Sequence, residues 1–369
     1  MINPDCFFKE KIRAQSPCCF ADFMHTALYD PNYGYYATKT SILGKTGDFI
    51  TAPELTPLFG YTVAKQLQSV LDALPKKHIL ELGAGTGRLC VNILSYLETQ
   101  HKLPERYYIL EPSPSLRAQQ QDLVKAHFPH FSTHVEWITT WPQEFIGAVV
   151  ANEVLDAMPV HRFLWKNEQV LESFVQIDPI SDQLTETFLP TKNQALQAYV
   201  QGLNLSSPYC SEVNLWLPGW LESLYHCMNQ GLVLLIDYGY PRREYYHPDR
   251  IQGTIMCHEN HRSHPDFLYR PGCQDITAHV DFTYVAETAD ALGFDIRGYT
   301  HQAGFLLSNG LLELLAAQSD ACDYQQQAQQ VKILLQAHEM GELFKVMALG
   351  KNFRESLSGF MMFDKRASL

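Results

Sequence analysis

The stretch that most constrains this chain is His78-Ile-Leu-Glu-Leu-Gly-Ala-Gly-Thr-Gly87, a short apolar run that empties into three glycines. Ile79, Leu80 and Leu82 read as a buried strand, and Gly83, Gly85 and Gly87 as the turn that ends it. Leu89, Val91, Ile93, Leu94 and Leu97 continue at helical spacing. Strand, turn and helix together set backbone N–H groups at a helix N-terminus, beside a space that no Cβ fills. A small molecule belongs against such a turn. The glycine spacing and the next strand end decide which one.

Strand and helix signals alternate from residue 78 onward. Tyr107–Leu110 reads as a second strand ending at Glu111, followed by a helix over 116–126. Strands are expected at Val135–Ile138 and Gly147–Ala151, the latter ending at Asn152-Glu153, and again at Leu232–Ile236 before Asp237-Tyr238. Alternation of this kind predicts an α/β fold with a mostly parallel sheet and helices on both faces. Before it, a helix over 20–28 closes at Asp30-Pro31-Asn32, where Tyr29, Tyr33, Tyr35 and Tyr36 read as a packed aromatic corner. A further helix is expected after Pro53, with Leu58, Val63, Leu67 and Leu71 inward. The expected organisation is a helical region over 1–73 with a lid loop, an inserted cap over 161–227 built on a hairpin around 166–168, and a Rossmann-like domain over 74–160 and 228–369. Residues 241–280 read as a long irregular segment, followed by a helix to Gly293, further helices near 310–338 and a last strand over 343–348.

Dinucleotide sites use G-x-G-x-x-G, whereas Gly83, Gly85 and Gly87 are spaced G-x-G-x-G with Arg88 in the sixth place. A bulky residue there disfavours the close approach of a pyrophosphate, so a nicotinamide oxidoreductase is the weaker alternative. Glu81 before the glycines points instead to the turn of class I S-adenosyl-L-methionine (SAM) methyltransferases. Glu111 stands where a carboxylate accepts both ribose hydroxyls, which supports adenosine without choosing between cofactors. Gly44-Lys-Thr46 is not a P-loop, because position 39 is lysine where that motif needs glycine.

The net charge of −12 argues against a general nucleic-acid binder. Nine scattered cysteines without a C-x-x-C pair favour a reducing compartment, and no apolar run suits a membrane span. With no signal-like start, a cytoplasmic protein is expected. His258, His261 and His264, near Cys257 and Cys273, do not gather at metal-ligand spacing, so no metal is expected.

Seven motifs then occur in order: Ala27–Tyr36, Gly47–Glu54, Glu81–Gly87, Glu111–Arg117, Asn152–His161, Ile236–Tyr240 and Asp275–Phe282. With them the chain resembles the MidA-like family of SAM-dependent methyltransferases, whose mitochondrial member methylates a protein arginine during respiratory complex I assembly. Family sequences often carry proline and arginine where this chain has Ala84 and Thr86. The resemblance implies the fold and the cofactor, a protein substrate such as a respiratory-complex or other assembly subunit, and a lid over SAM at 47–51. In that lid Asp48 would meet the SAM ammonium and Thr51 its carboxylate. A homodimer stays compatible with the sequence.

Methyl transfer to a guanidinium needs carboxylates that hold it and take its proton. Glu153 is expected as the main grip and Asp156, at i,i+3, as its partner, although a helix-capping role for Asp156 competes. Asn152 is assigned to the cofactor's amino-acid end. Asp237, Tyr238 and His279 are placed on the substrate side. The competing class is a SAM-binding scaffold that no longer transfers methyl groups.

Overall fold

The computed structural model describes residues 4–38, 51–317 and 321–369. Its centre is an eight-stranded sheet in which the short Val280–Asp281 pairs parallel beside Gly239 and Tyr240, off a main path of seven strands: β1 (His78–Leu82), β2 (Arg106–Leu110), β3 (Val135–Ile138), β4 (Phe145–Asn152), β5 (Met228–Tyr240), β6 (Asp295–His301) and β7 (Phe344–Lys351). These seven lie in the order β6-β7-β5-β4-β1-β2-β3. All neighbours from β5 to β3 are parallel, and β7 runs antiparallel to both β5 and β6. The chain order reverses on either side of β1, so the crevice at the carboxyl ends of β1 and β4 is the switch point where open α/β sheets bind ligands.

The strands read as unbroken apolar runs because both of their faces are covered. Along β5, Leu232, Leu234 and Ile236 join one core with the helices Pro57–Asp72 and Arg88–Thr99. Val233 and Leu235 face the opposite core, which includes the helices Leu217–Cys227 and Phe282–Leu292. Leu217–Cys227 falls inside the stretch the sequence suggests as the insertion. Its Leu217, Leu221 and Leu224 nonetheless bury against the main sheet, so this helix packs with the Rossmann-like core.

The inserted strands His161–Lys166, Gln169–Ile177, Leu184–Pro190 and Tyr209–Val213 form a separate antiparallel sheet. The N-terminal Cys18–Cys19 pairs with Val175 and Phe174 of that sheet and ties the first helices to it. The helix expected after Pro53 is two helices. Ala52–Leu55 ends at Thr56, whose hydroxyl accepts the Leu58 N–H at 3.3 Å and caps the longer Pro57–Asp72. Such a cap contributes about 1 kcal/mol.

Several elements were not expected, among them the cap strands Leu184–Pro190 and Tyr209–Val213. The helix Pro4–Gln15 precedes the first predicted one. Residues 241–280 are not wholly irregular: the strands Met256–Glu259, Arg262–His264 and Asp275–Thr277 make a small sheet there. Strand β6 contains Arg297 and Gly298, which hide its strand character.

Candidate active site

The glycine turn enters helix Arg88–Thr99 through left-handed backbone, with φ of 62° at Gly83, 55° at Gly85 and 85° at Gly87. A Cβ at Gly87 would lie 3.3 Å from Gln120 Cγ and 3.4 Å from its Cα, so both conformation and space demand glycine. Gln120 is a residue the sequence did not single out. Its Nε2 donates to the Gly85 carbonyl at 2.8 Å and to Glu111 Oε2 at 3.0 Å, and its own Oε1 is fixed by Trp137 Nε1 at 2.9 Å. One amide therefore ties the turn to Glu111. Glu111 is 4% exposed and also accepts the Ser113 N–H at 3.0 Å. Burial pushes its pKa up, against these hydrogen bonds and Arg117.

Glu81 lies beneath the turn. Its carboxylate accepts the Tyr107 hydroxyl at 2.6 Å, and burial, with Glu111 nearby, raises its pKa to about 7. The helix Ala52–Leu55 is fastened to the turn from the other side. Thr86 Oγ1 donates to Glu54, and Asn92 Nδ2 donates to the Pro53 carbonyl at 3.1 Å. Thr51 is thereby held, buried, at the helix entrance, while Asp48 lies outside the described residues.

Beyond β4 the chain makes a tight turn through Asn152–Asp156. Glu153 takes φ 53°, an unfavourable left-handed conformation for a side chain, and donates its N–H to the Ile236 carbonyl at 2.9 Å. Asp237, at the end of the adjacent β5, holds the turn. Its Oδ2 accepts the N–H groups of Val154, Leu155 and Asp156 at 3.1, 2.9 and 3.3 Å, and its Oδ1 accepts that of Tyr238 at 2.9 Å. Asp237 is thus the anchor of the turn. Burial, Asp156 and Glu153 push its pKa up while these N–H groups oppose the shift.

Glu153 and Asp156 are brought together with Asp275, which the sequence did not single out as a site residue. Asp275 accepts the Tyr36 hydroxyl at 2.9 Å. The Tyr29 hydroxyl donates to the Ala157 carbonyl at 2.8 Å, with Asp275, Asp156 and Glu111 nearby. The tyrosine corner is therefore packed and also forms a wall of this cage. Tyr238 completes it, its hydroxyl opposing the effect of burial on Asp156. Burial first, then Asp156 and Asp275, raises Glu153 to about 8; burial lifts Asp156 to about 6. The backbone N–H of Ala52, next to the buried Thr51, opposes the rise at Glu153.

His279 stands apart from the carboxylates. Its ring stacks on Tyr240 at 5.4 Å and meets the edge of Tyr238 at 5.1 Å. Burial, with Arg250 and Lys345 nearby, lowers its pKa to about 4, so it is neutral. His258 and His264 sit on neighbouring hairpin strands, with His261 at the turn between them. Among the described residues, the group of three with metal-ligand closeness is Cys19 of the N-terminal strand with His161 and Glu172 of the sheet it joins, where His161 Nδ1 already bonds Glu172 at 2.9 Å.

The crevice fits SAM on three counts. The turn offers a cradle without side chains, Glu111 offers a buried carboxylate at the next strand end, and Asn152 Oδ1 is buried with no hydrogen-bond partner. Arg88 in place of the sixth glycine leaves no seat for a pyrophosphate. Fold and crevice together define the class of SAM-dependent methyltransferases.

Comparison with known proteins carries this to a family. Residues 62–300 match the model of the family described as "Putative S-adenosyl-L-methionine-dependent methyltransferase", and the chain belongs to that family. A superfamily member from Burkholderia thailandensis, crystallised with S-adenosyl-homocysteine, is 35% identical and superposes with a TM-score of 0.94 over 99% of this chain and 96% of its own. The bovine protein arginine methyltransferase NDUFAF7, mitochondrial, is 28% identical over 92% of this chain and 81% of its own length. Its human counterpart is 27% identical over the same shares. The MidA-like resemblance and the SAM cofactor are thereby established. The chain is a SAM-dependent methyltransferase.

These relatives also correct one expectation. The curated proteins similar to this chain are named mitochondrial, so a cytoplasmic location does not follow from its composition. Scattered thiols report a reducing environment and carry no address. No helix among the described residues is long and apolar enough to cross a membrane.

Proposed function

We propose that this methyltransferase modifies an arginine side chain of a protein substrate. The observation that carries the proposal is the cage in which Glu153, Asp156 and Asp275 converge under the hydroxyls of Tyr29, Tyr36 and Tyr238. A guanidinium is a planar cation with five N–H donors and no acceptor, and carboxylates and phenol oxygens are the acceptors it requires. The names of the curated relatives support the same substrate.

Bound SAM supplies an electrophilic methyl group on its sulfonium. Gly83, Gly85 and Gly87 would cradle it, Glu111 would hold its ribose, and Asn152 and Thr51 its amino-acid end, with Glu81 bracing the turn from below. The family resemblance assigns Asp48 to the SAM ammonium. The entering guanidinium lowers the pKa of Glu153, which ionises and grips two N–H groups side by side. Asp156, its backbone held by Asp237, takes a second edge and holds the attacking nitrogen in line. As that nitrogen bonds to the methyl carbon and the carbon–sulfur bond breaks to leave a neutral thioether, the nitrogen becomes acidic and Glu153 accepts its proton. Asp237 keeps the turn in place, and His279 supports Tyr238 from behind.

The partner is a protein with an accessible arginine, such as a subunit awaiting assembly. Incubation of the protein with labelled SAM and a host lysate tests this. A labelled band that disappears with Glu153→Gln supports transfer. Equal or absent labelling by both proteins, with S-adenosyl-homocysteine still bound, favours the scaffold reading.

A further inference from the structure

The helix Phe20–Tyr29 presents His25 and Tyr29, one turn apart, on its exposed face. Trp216, at the entrance to the helix Leu217–Cys227, stacks on His25 with ring centroids 5.3 Å apart and 24° between the planes. His25 lies 5.7 Å from Tyr29, and Tyr29 stacks on Tyr36 at 5.5 Å and 26°. Tyr36 in turn ends on Asp275. Four rings thus run without a break from open surface to the carboxylate cage.

The outer part of this run is exposed in a way that core packing does not explain. Trp216 is 44% and Tyr29 36% exposed, whereas Tyr35 of the same corner is fully buried. Aromatic faces carry negative quadrupole charge, and cations, arginine above all, rest on them. Asp22 is exposed on the same helix, one turn before His25, and the whole chain carries a net charge of −12. The strip therefore complements a cationic segment and is continuous with the place where the acceptor enters. The three ring-to-ring steps of 5.3, 5.7 and 5.5 Å reach about 17 Å at most, which an extended chain spans in about five residues.

The geometry points to Trp216, His25 and Tyr29 as the docking surface for the substrate segment beside the acceptor arginine, with preference for a second arginine or lysine within about five residues of it. This rests on the arginine substrate proposed above. Tyr36 is shared between the two: its ring ends the docking strip and its hydroxyl belongs to the cage.

The test uses the full-length protein saturated with S-adenosyl-homocysteine and fluorescein-labelled Gly/Ser peptides. One peptide carries a single central arginine; the others add a second arginine at successive flanking positions. The second cation is expected to tighten binding about tenfold within the reach of the strip. Trp216→Ala or His25→Ala should collapse the ratio between the two peptides to one, and Trp216→Phe should restore much of it. Thermal melts check that each variant is folded. Affinity indifferent to the second cation, no binding of any peptide, or a preference that survives both alanine variants overturns the proposal. So does light scattering that shows Trp216→Ala abolishing self-association while peptide binding is unchanged. Failure of the arginine reading looks different: the peptides bind with the flanking preference, yet no methylarginine forms when SAM replaces the product.

Discussion

Asp237 Oδ2 accepts the Leu155 N–H at 2.9 Å, and through this contact the end of one strand fixes the turn that follows its neighbour. The same oxygen takes the N–H groups on either side of Leu155, so the placement of Glu153 and Asp156 depends on a carboxylate some eighty residues further along the chain.

Removing that acceptor is therefore expected to loosen the turn before it affects the cofactor. Asp237→Ala leaves buried N–H groups without a partner, and a loss of about 2–4 kcal/mol in stability is expected. Chemical denaturation measures that loss. Calorimetry with S-adenosyl-homocysteine should show much smaller damage to binding, because Glu111 and the glycine turn are untouched.

Catalysis should rise with pH. In the free protein Glu153 titrates near 8, raised by burial and by the acids beside it, and it must ionise to grip a guanidinium. The kcat/KM profile is expected to climb through pH 7–9, about tenfold per unit below the pKa. Glu153→Gln should abolish this limb and lower kcat by about 10²–10³. A flat profile over this range in the wild-type protein contradicts the assignment.

Stability should run in the opposite direction. The folded-state pKa values of Glu153 and Asp156 lie at about 8 and about 6, above the ordinary carboxyl values of 4.5 and 3.8. The folded protein therefore binds more protons than the unfolded chain between those limits, and its stability declines as pH rises through the window. The melting temperature of the ligand-free protein is expected to fall from pH 6 to pH 8.5. Glu153→Gln should remove the upper part of that fall.

Cofactor affinity should reside in the Gln120–Glu111 pair. Glu111→Ala removes the charged acceptor for the ribose and is expected to weaken S-adenosyl-homocysteine binding by about 2 kcal/mol, some thirtyfold. Gln120→Leu leaves the carboxylate in place but frees both it and the Gly85 carbonyl. Its effect should be smaller, about fivefold. Titration calorimetry separates the two.

The parallel core was legible because its signals are local. Each strand is a short apolar run buried on both sides, and the glycine turn declares its own backbone. Glu153, Asp156 and Asp237 draw attention in the sequence because they lie at or just beyond the carboxyl ends of apolar runs, and strand ends at a switch point are where ligands bind. Asp275 and Tyr36 carry no such local mark. They meet across 239 positions of sequence, and only the folded chain puts a hydroxyl against that carboxylate. Gln120 was hidden for a related reason: on the helix Pro114–His127 it looks like any polar surface residue, yet it is fully buried against the turn. The motifs at 27–36 and 275–282 contained the missing tyrosine and acid, and the order of the sheet would have been needed to place them together.

The most direct measurement is to hydrolyse protein labelled by this enzyme with methyl-tritiated SAM and separate the amino acids. The cage of Glu153, Asp156 and Asp275 predicts tritium in methylarginine, absent when Glu153→Gln replaces the wild-type enzyme. Tritium recovered in methyllysine, or released by mild base as from a methyl ester, contradicts it.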